Sequence, residues 1–228
     1  MISSKIQFIK RWGPVKTLYS LFMRNIRKIL PVNFSVVVCR PLPLPNGKLK
    51  KPDGIQLAVL TEQQLMAWCK HTELDLHENI VKHALKRGDY CIGATEKGKP
   101  VAYVWRAFSD TPHVRSHNIW IAIGDSARYG YNSLTLPQYR GRHIQPALSA
   151  LGDELIPDHG KKISIGFIET DNYPSIRAAL TLGSKIVGYA GYIIIFGKFL
   201  SFASPGAKKV GFRFYQSSRP EIPASNKS

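Results

Sequence analysis

The stretch Thr135–Leu148, TLPQYRGRHIQPAL, carries an apolar strand through a proline and an Arg-Gly-Arg turn into a helix. No other segment narrows the fold as much. A helix that begins directly after a strand points its first N–H groups outward, along the positive end of its dipole, so the turn between them suits an anion. Arg140 and Arg142 add charge there, and Gly141 lets the backbone come close to a ligand. A plain turn with solvated arginines would have the same residues, and the flanking elements must decide between the two.

Those elements follow from periodicity. Residues 14–30 predict an amphipathic helix between Pro14 and Pro31, with Val15, Leu18, Tyr19, Phe22, Ile26, Ile29 and Leu30 at three-and-four spacing. A β-branched run over 34–40 predicts a strand, and the Pro/Gly/Lys-rich stretch 41–54 a connector. Strand 55–60 precedes a capping box at Thr61 and Gln64, and a helix over 74–87 ends at Gly88. Strands 90–95 and 101–108 make a hairpin, strands 119–123 and 129–136 follow, and then come helix 141–155, strand 162–169, helix 174–182 and strand 186–196. Strands giving way to a βαβαβ run define an α/β chain (α+β, with a mixed sheet) that has helices on both faces. Domain boundaries are expected at 54 and 200: a basic extension 1–54, a folded body 55–200, and a basic, largely flexible tail 201–228.

Charge supports that division. The net charge is +17, and residues 1–52 hold eleven Lys/Arg and no acid, residues 53–197 fifteen against fourteen, and residues 198–228 six against one. The body is near neutral, so direct nucleic-acid binding, which needs a row of phosphate contacts, is not expected of it. An apolar stripe backed by Lys16, Arg24, Arg27 and Lys28 suits an anionic membrane surface, although it would serve equally well packed on the protein's own core. Cys39, Cys69 and Cys91 have no metal-ligand spacing and fit a reducing compartment. With no spanning segment and no signal peptide expected, the location predicted is cytoplasmic, peripheral on the inner face of the membrane. His113, His117 and Asp110 flank a polar loop that reads as surface, and no metal is expected.

Two segments carry a resemblance to a known family. Thr135–Leu148 resembles the acyl-CoA motif of the GNAT acyltransferase superfamily, Arg/Gln-x-x-Gly-x-Gly/Ala after a strand and a proline, and Asn172–Gly183 (NYPSIRAALTLG) resembles that family's later Asn-led helix ending in Leu-Gly. The element order agrees over residues 55–196, while the specific motifs occupy about two dozen positions. The resemblance implies a V-shaped splay between the fourth and fifth core strands, 129–136 and 162–169, into which the pantetheine of acetyl-CoA enters like an added strand. It implies cofactor contacts from Leu134 and Thr135 to pantetheine, from Arg140, Gly141, Arg142, His143, Ile144 and Gln145 to pyrophosphate, and from Asn172 in the later motif. For catalysis it implies Glu169 as base toward an ammonium acceptor and a tyrosine as acid toward the leaving thiolate.

The sequence departs from the family at these points. His143 and Gln145 stand where the motif has glycine or alanine, and Ala179 stands where many members place the acid tyrosine. Tyr173, Tyr189, Tyr192 or water would replace it, and Tyr131, a further catalytic candidate, belongs to an aromatic set with Tyr103, Trp105, Trp120 and Tyr129 that would line an acceptor pocket. The function expected is an N-acetyltransferase moving acetyl from acetyl-CoA to a primary amine, such as a membrane- or nucleotide-linked amino sugar, by direct attack in a ternary complex. A protein or peptide acetyltransferase and a CoA-binding module without turnover are the alternatives.

Overall fold

Eight strands form one sheet in the order β10-β9-β1-β8-β7-β4-β3-β2, and three more form a small second sheet, β11-β6-β5. The computed structural model describes residues 9–44, 52–113, 118–156 and 159–217. In chain order the strands are β1 Val32–Pro41, β2 Ile55–Val59, β3 Tyr90–Glu96, β4 Lys99–Ala107, β5 Thr111–Pro112, β6 Ile119–Ala122, β7 Ala127–Thr135, β8 Ile163–Glu169, β9 Lys185–Ile195, β10 Lys198–Ala203 and β11 Arg213–Gln216. The helices are α1 Pro14–Ile29, α2 Glu62–Trp68, α3 Glu78–Lys86, α4 Ile144–Leu155, α5 Tyr173–Thr181 and α6 Pro205–Lys209.

Local chemistry sets many of the boundaries. Thr61 and Gln64 form the expected capping box at the start of α2, each side chain accepting from the other's backbone N–H at 3.3 and 2.9 Å. Successive residues of the central strands serve different cores, because side chains alternate across a sheet. Val104 and Ile92 pack with Ile144 and Leu148 of α4 on one face, while Trp105 and Cys91 join Leu65, Leu74, Phe212 and Phe214 in the cluster on the other.

The expected boundary at residue 54 cuts through the sheet. β1 lies between β8 and β9 and pairs antiparallel with both, so it is an inner strand rather than part of an extension. Its Val36, Val37 and Val38 are buried, as suits a strand covered on two faces. The flexible tail expected from residue 201 is likewise corrected: β10 pairs along β9, α6 packs on β9, and β11 pairs with β6 and buries Phe214. Residues 218–228 lie outside the described residues.

The splay is present. β7 and β8 pair in parallel only at Ala127–Tyr129 against Ile163–Ile165, and β7 then continues to Thr135 and β8 to Glu169 without pairing each other. Each stays bonded on its outer side, β7 to β4 through Thr135 and β8 to β1 through Glu169. The sheet opens between them as a V.

Candidate active site

The turn leading into α4 takes three conformations in quick succession. Pro137–Tyr139 is one turn of 3-10 helix, Arg140 is extended, and Gly141 and His143 are left-handed with φ of 83° and 58°. Helix α4 therefore starts at Ile144, three residues after the predicted start at Gly141. The left-handed form costs a residue with a Cβ about 1–2 kcal/mol, and His143 adopts it at a position where the GNAT motif has glycine. The backbone path at 143 is thus one that glycine favours, while the imidazole stands exposed at the helix start.

The two arginines of the turn diverge. Arg140 is exposed and ties its Nε to the Thr135 carbonyl at 3.2 Å, which keeps the guanidinium at the mouth of the splay. Arg142 turns back onto the protein: it donates to Asp53 O at 3.0 Å and Glu96 Oε1 at 2.9 Å, and it stacks over Tyr139 at 5.4 Å. That hydrogen bond from Arg142 holds the Glu96 carboxyl below its ordinary range. The Arg142 side chain therefore fixes the turn against the β3–β4 hairpin.

Gln145, expected among the pyrophosphate contacts, turns its side chain inward. Its Nε2 donates inward to Tyr103 O at 3.1 Å, Leu134 O at 2.9 Å and Thr135 Oγ1 at 3.0 Å, beside the irregularity in the β4–β7 ladder between Tyr103 and Trp105. One amide so ties the first turn of α4 to β7, the inner edge of the splay. Leu134 and Thr135, the predicted pantetheine contacts, already accept hydrogen bonds from Gln145 and Arg140. Ile144 is a core residue, and only its backbone faces the turn. Gln145→Ala is expected to lower stability by about 1–3 kcal/mol, because inward carbonyls lose their donor. Thermal unfolding would show it as a drop in Tm of about 5 °C.

Each of the predicted catalytic residues is engaged in contacts of its own. Tyr131 is buried and donates to Asp89 Oδ2 at 2.6 Å, and Arg87 bonds both the Tyr131 hydroxyl, at 3.2 Å, and Asp89, at 2.6 Å. Burial, and then the Asp89 charge, push the Tyr131 hydroxyl up, and burial also raises Asp89 despite Arg87. Tyr131 is thus part of a buried polar network with Asp89 and Arg87. Glu169 ends β8 with Arg27 of α1 at 3.6 Å, and the same guanidinium grips Asp171 at 2.9 and 2.6 Å. Asn172 caps α5, its Oδ1 accepting from Ser175 N at 3.3 Å. Tyr173 donates to Lys16 O at 3.4 Å and packs on Trp12.

Sequence reasoning missed the strongest electrostatic feature near the splay. In α4 the nearly covered side chain of Asp153 receives Arg40 of β1 at 2.7 and 3.0 Å, together with Arg128 of β7, while Arg106 of β4 donates to Ser149 Oγ of the same helix at 3.0 Å. Burial raises the Asp153 carboxyl, but the Arg40 hydrogen bonds and the charges of Arg40 and Arg128 outweigh it, and the net shift is downward. Burial, then Arg128 and Arg40, push Arg106 down. Gly130 makes room for Arg106, since a Cβ there would lie 2.9 Å from Nη1. A single arginine in each of three apolar strands was the available signal.

Other polar places lie elsewhere. A cavity of about 450 Å³ lined by Arg87, Phe108, Asp110, Trp120, Asp125 and Lys161 sits where β4 ends and β7 begins, opposite the turn. His113 stacks on Phe167 at 5.6 Å, the Asp110 carboxylate accepts from Ile123 N and the Tyr215 hydroxyl, and His117 lies outside the described residues. Among the described residues no three His, Cys, Asp or Glu side chains form a metal-binding group, and no helix is long and apolar enough to cross a membrane.

No family model and no curated protein matches the sequence. Among solved structures the chain is similar to a tandem GNAT protein from the clavulanic acid biosynthesis pathway, with 15% identity over 75% of this chain and 54% of that one and a TM-score of 0.50. It is also similar to a GCN5-related N-acetyltransferase from Kribbella flavida, at 15% identity over 75% of this chain and 58% of the other, with a TM-score of 0.47. An aminoglycoside 6'-N-acetyltransferase from Acinetobacter baumannii matches at 16% identity over 57% of this chain and 90% of its own, with a TM-score of 0.44. The chain spans 58% of the length of the Kribbella protein. The splayed mixed sheet and the strand–turn–helix at its mouth are those of the GNAT acetyltransferase fold.

Proposed function

We propose that the chain is an acyl-CoA-dependent acyltransferase, most simply one that moves acetyl from acetyl-CoA to a primary amine. One observation carries the reading: an exposed arginine and a left-handed turn open a helix at the mouth of a gap between parallel strands. Pyrophosphate suits that helix start, where the N–H groups of His143, Ile144 and Gln145 lack intrahelical acceptors and Arg140 adds charge. Because Gln145 and Arg142 point into the protein, neither blocks the turn. Pantetheine would lie along β7 in the gap, and acyl transfer by direct attack needs only that the amine lose its proton as it adds to the thioester. Glu169, at the open end of β8 and only loosely paired with Arg27, is the proton acceptor in this reading. Tyr173 is the donor to the departing thiolate, and the acceptor class is an amino sugar or a similar small amine.

Calorimetry with acetyl-CoA tests the first step: micromolar binding that weakens at least about tenfold in Arg140→Glu is expected, and no binding by the wild type refutes the proposal. A thiol-release assay over an amine panel, repeated with Glu169→Gln, tests the second. Loss of rate in that variant is expected. The involvement of Tyr131 and Glu169 in other contacts favours a second reading, a CoA-binding module without turnover. Tight binding without thiol release on any amine would establish that one instead.

A further inference from the structure

Helix α1 presents its apolar stripe to solvent. Val15, Leu18, Phe22 and Ile29 are 79, 70, 56 and 79% exposed, and at 100° per residue they fall within a sector of about 60°. The rest of the helix is committed to the protein. Met23 is buried, the Tyr19 hydroxyl meets Thr170 Oγ1 at 2.7 Å, and Arg27 grips Asp171. The side of the stripe away from those contacts carries exposed Arg24, Asn25 and Lys28. Residues 1–52 contain no acid.

We propose that α1 is a docking surface for an anionic lipid bilayer, with Val15, Leu18, Phe22 and Ile29 entering the interface and Arg24 and Lys28 meeting the headgroups. An apolar sector on a helix otherwise anchored to the fold, with cations on one flank and no carboxylate of its own, suits the depth and charge of such an interface. A second copy of the chain is a poor occupant: stripe-to-stripe contact would bring together two α1 helices that carry Lys16, Arg24 and Lys28 and no acid. The proposal does not depend on the acyltransferase reading, because lipid binding is measured without substrate.

The full chain is floated with vesicles of phosphatidylcholine alone and of phosphatidylcholine mixed equally with phosphatidylglycerol. Flotation with the mixed vesicles and not with the neutral ones is expected. The double variant Leu18→Asp, Phe22→Asp should lower the bound fraction at least about tenfold, and Arg24→Glu, Lys28→Glu should lower it comparably while reducing its salt dependence. These side chains are exposed, so both variants should keep the wild-type thermal transition. Failure of the wild type to float, or flotation unchanged in folded variants of both kinds, overturns the proposal. So does a wild-type dimer on sizing that the Leu18→Asp, Phe22→Asp variant abolishes, since the stripe would then join two copies.

Discussion

A chain ended at Ala203 is expected to lose cooperative folding. The cut removes α6 and β11, and with them Phe212 and Phe214, which are 0 and 1% exposed among the rings of Phe167 and Tyr192. Emptying one buried Phe site costs about 3–5 kcal/mol, against a total stability of about 5–15 kcal/mol for a typical domain. The damage would extend past two cavities. β6 would lose the four-residue β11 and keep only the two-residue β5 as partner, and β9, whose Gly188 and Val187 carbonyl lie tight against α6, would lose its cover. Urea unfolding followed by circular dichroism should show a broad, shallow change in place of a single transition. A chain ended at Ser217 retains every contact described and serves as the control. A sharp transition at the wild-type midpoint in the shorter chain would mean that the carboxy-terminal segment is dispensable.

Asp153→Ala should cost about 3–5 kcal/mol, the penalty for leaving buried charge without its counterion. The Asp153 carboxylate holds Arg40 and Arg128 and also accepts from Leu44 N at 2.9 Å, so its removal strands two buried guanidiniums and frees the chain after β1. Its folded pKa is depressed, and its contribution is therefore fully present above the unfolded value of about pH 4. It is lost as pH falls through the folded value. Denaturant midpoints measured from pH 7 down to pH 3 should fall for the wild type and fall less for Asp153→Asn, which keeps the shape but has no charge to titrate. Parallel pH profiles for the two proteins would show that Asp153 is not the group responsible.

What the sequence made legible is what its chemistry settles locally. Pro137 and Gly141 mark the turn, Thr61 and Gln64 mark a helix start, and the strands flanking the splay announce themselves by alternation. Where long-range pairing decides, the reading failed. Val36-Val37-Val38 says strand but not which neighbours, and those neighbours, β8 and β9, lie far along the chain. The carboxy-terminal stretch reads as a tail through Lys208, Lys209 and Arg213, although Phe212 and Phe214 two apart were a strand signal within it. At the site, Glu169 could be placed at a strand end from its surroundings, but Arg27, which pairs with it, approaches from a helix at the other end of the chain. Gln145 shows the same limit: a bulky residue in a glycine position gives no hint that its amide turns inward.

The inner position of β1 has a consequence for synthesis. Among the described strands it is the earliest in the chain, yet the first residues able to pair with it are Ile163–Glu169, and Lys185–Ile193 come later still. At about 5–20 residues per second the nascent chain carries a Val-rich strand with two open edges for roughly 6–26 s, until β8 is made. During that interval its apolar run is the segment most open to pairing with another nascent chain. A protein whose inner strand is made early but paired last depends, more than its folded stability would suggest, on whatever shields that strand while the rest is made.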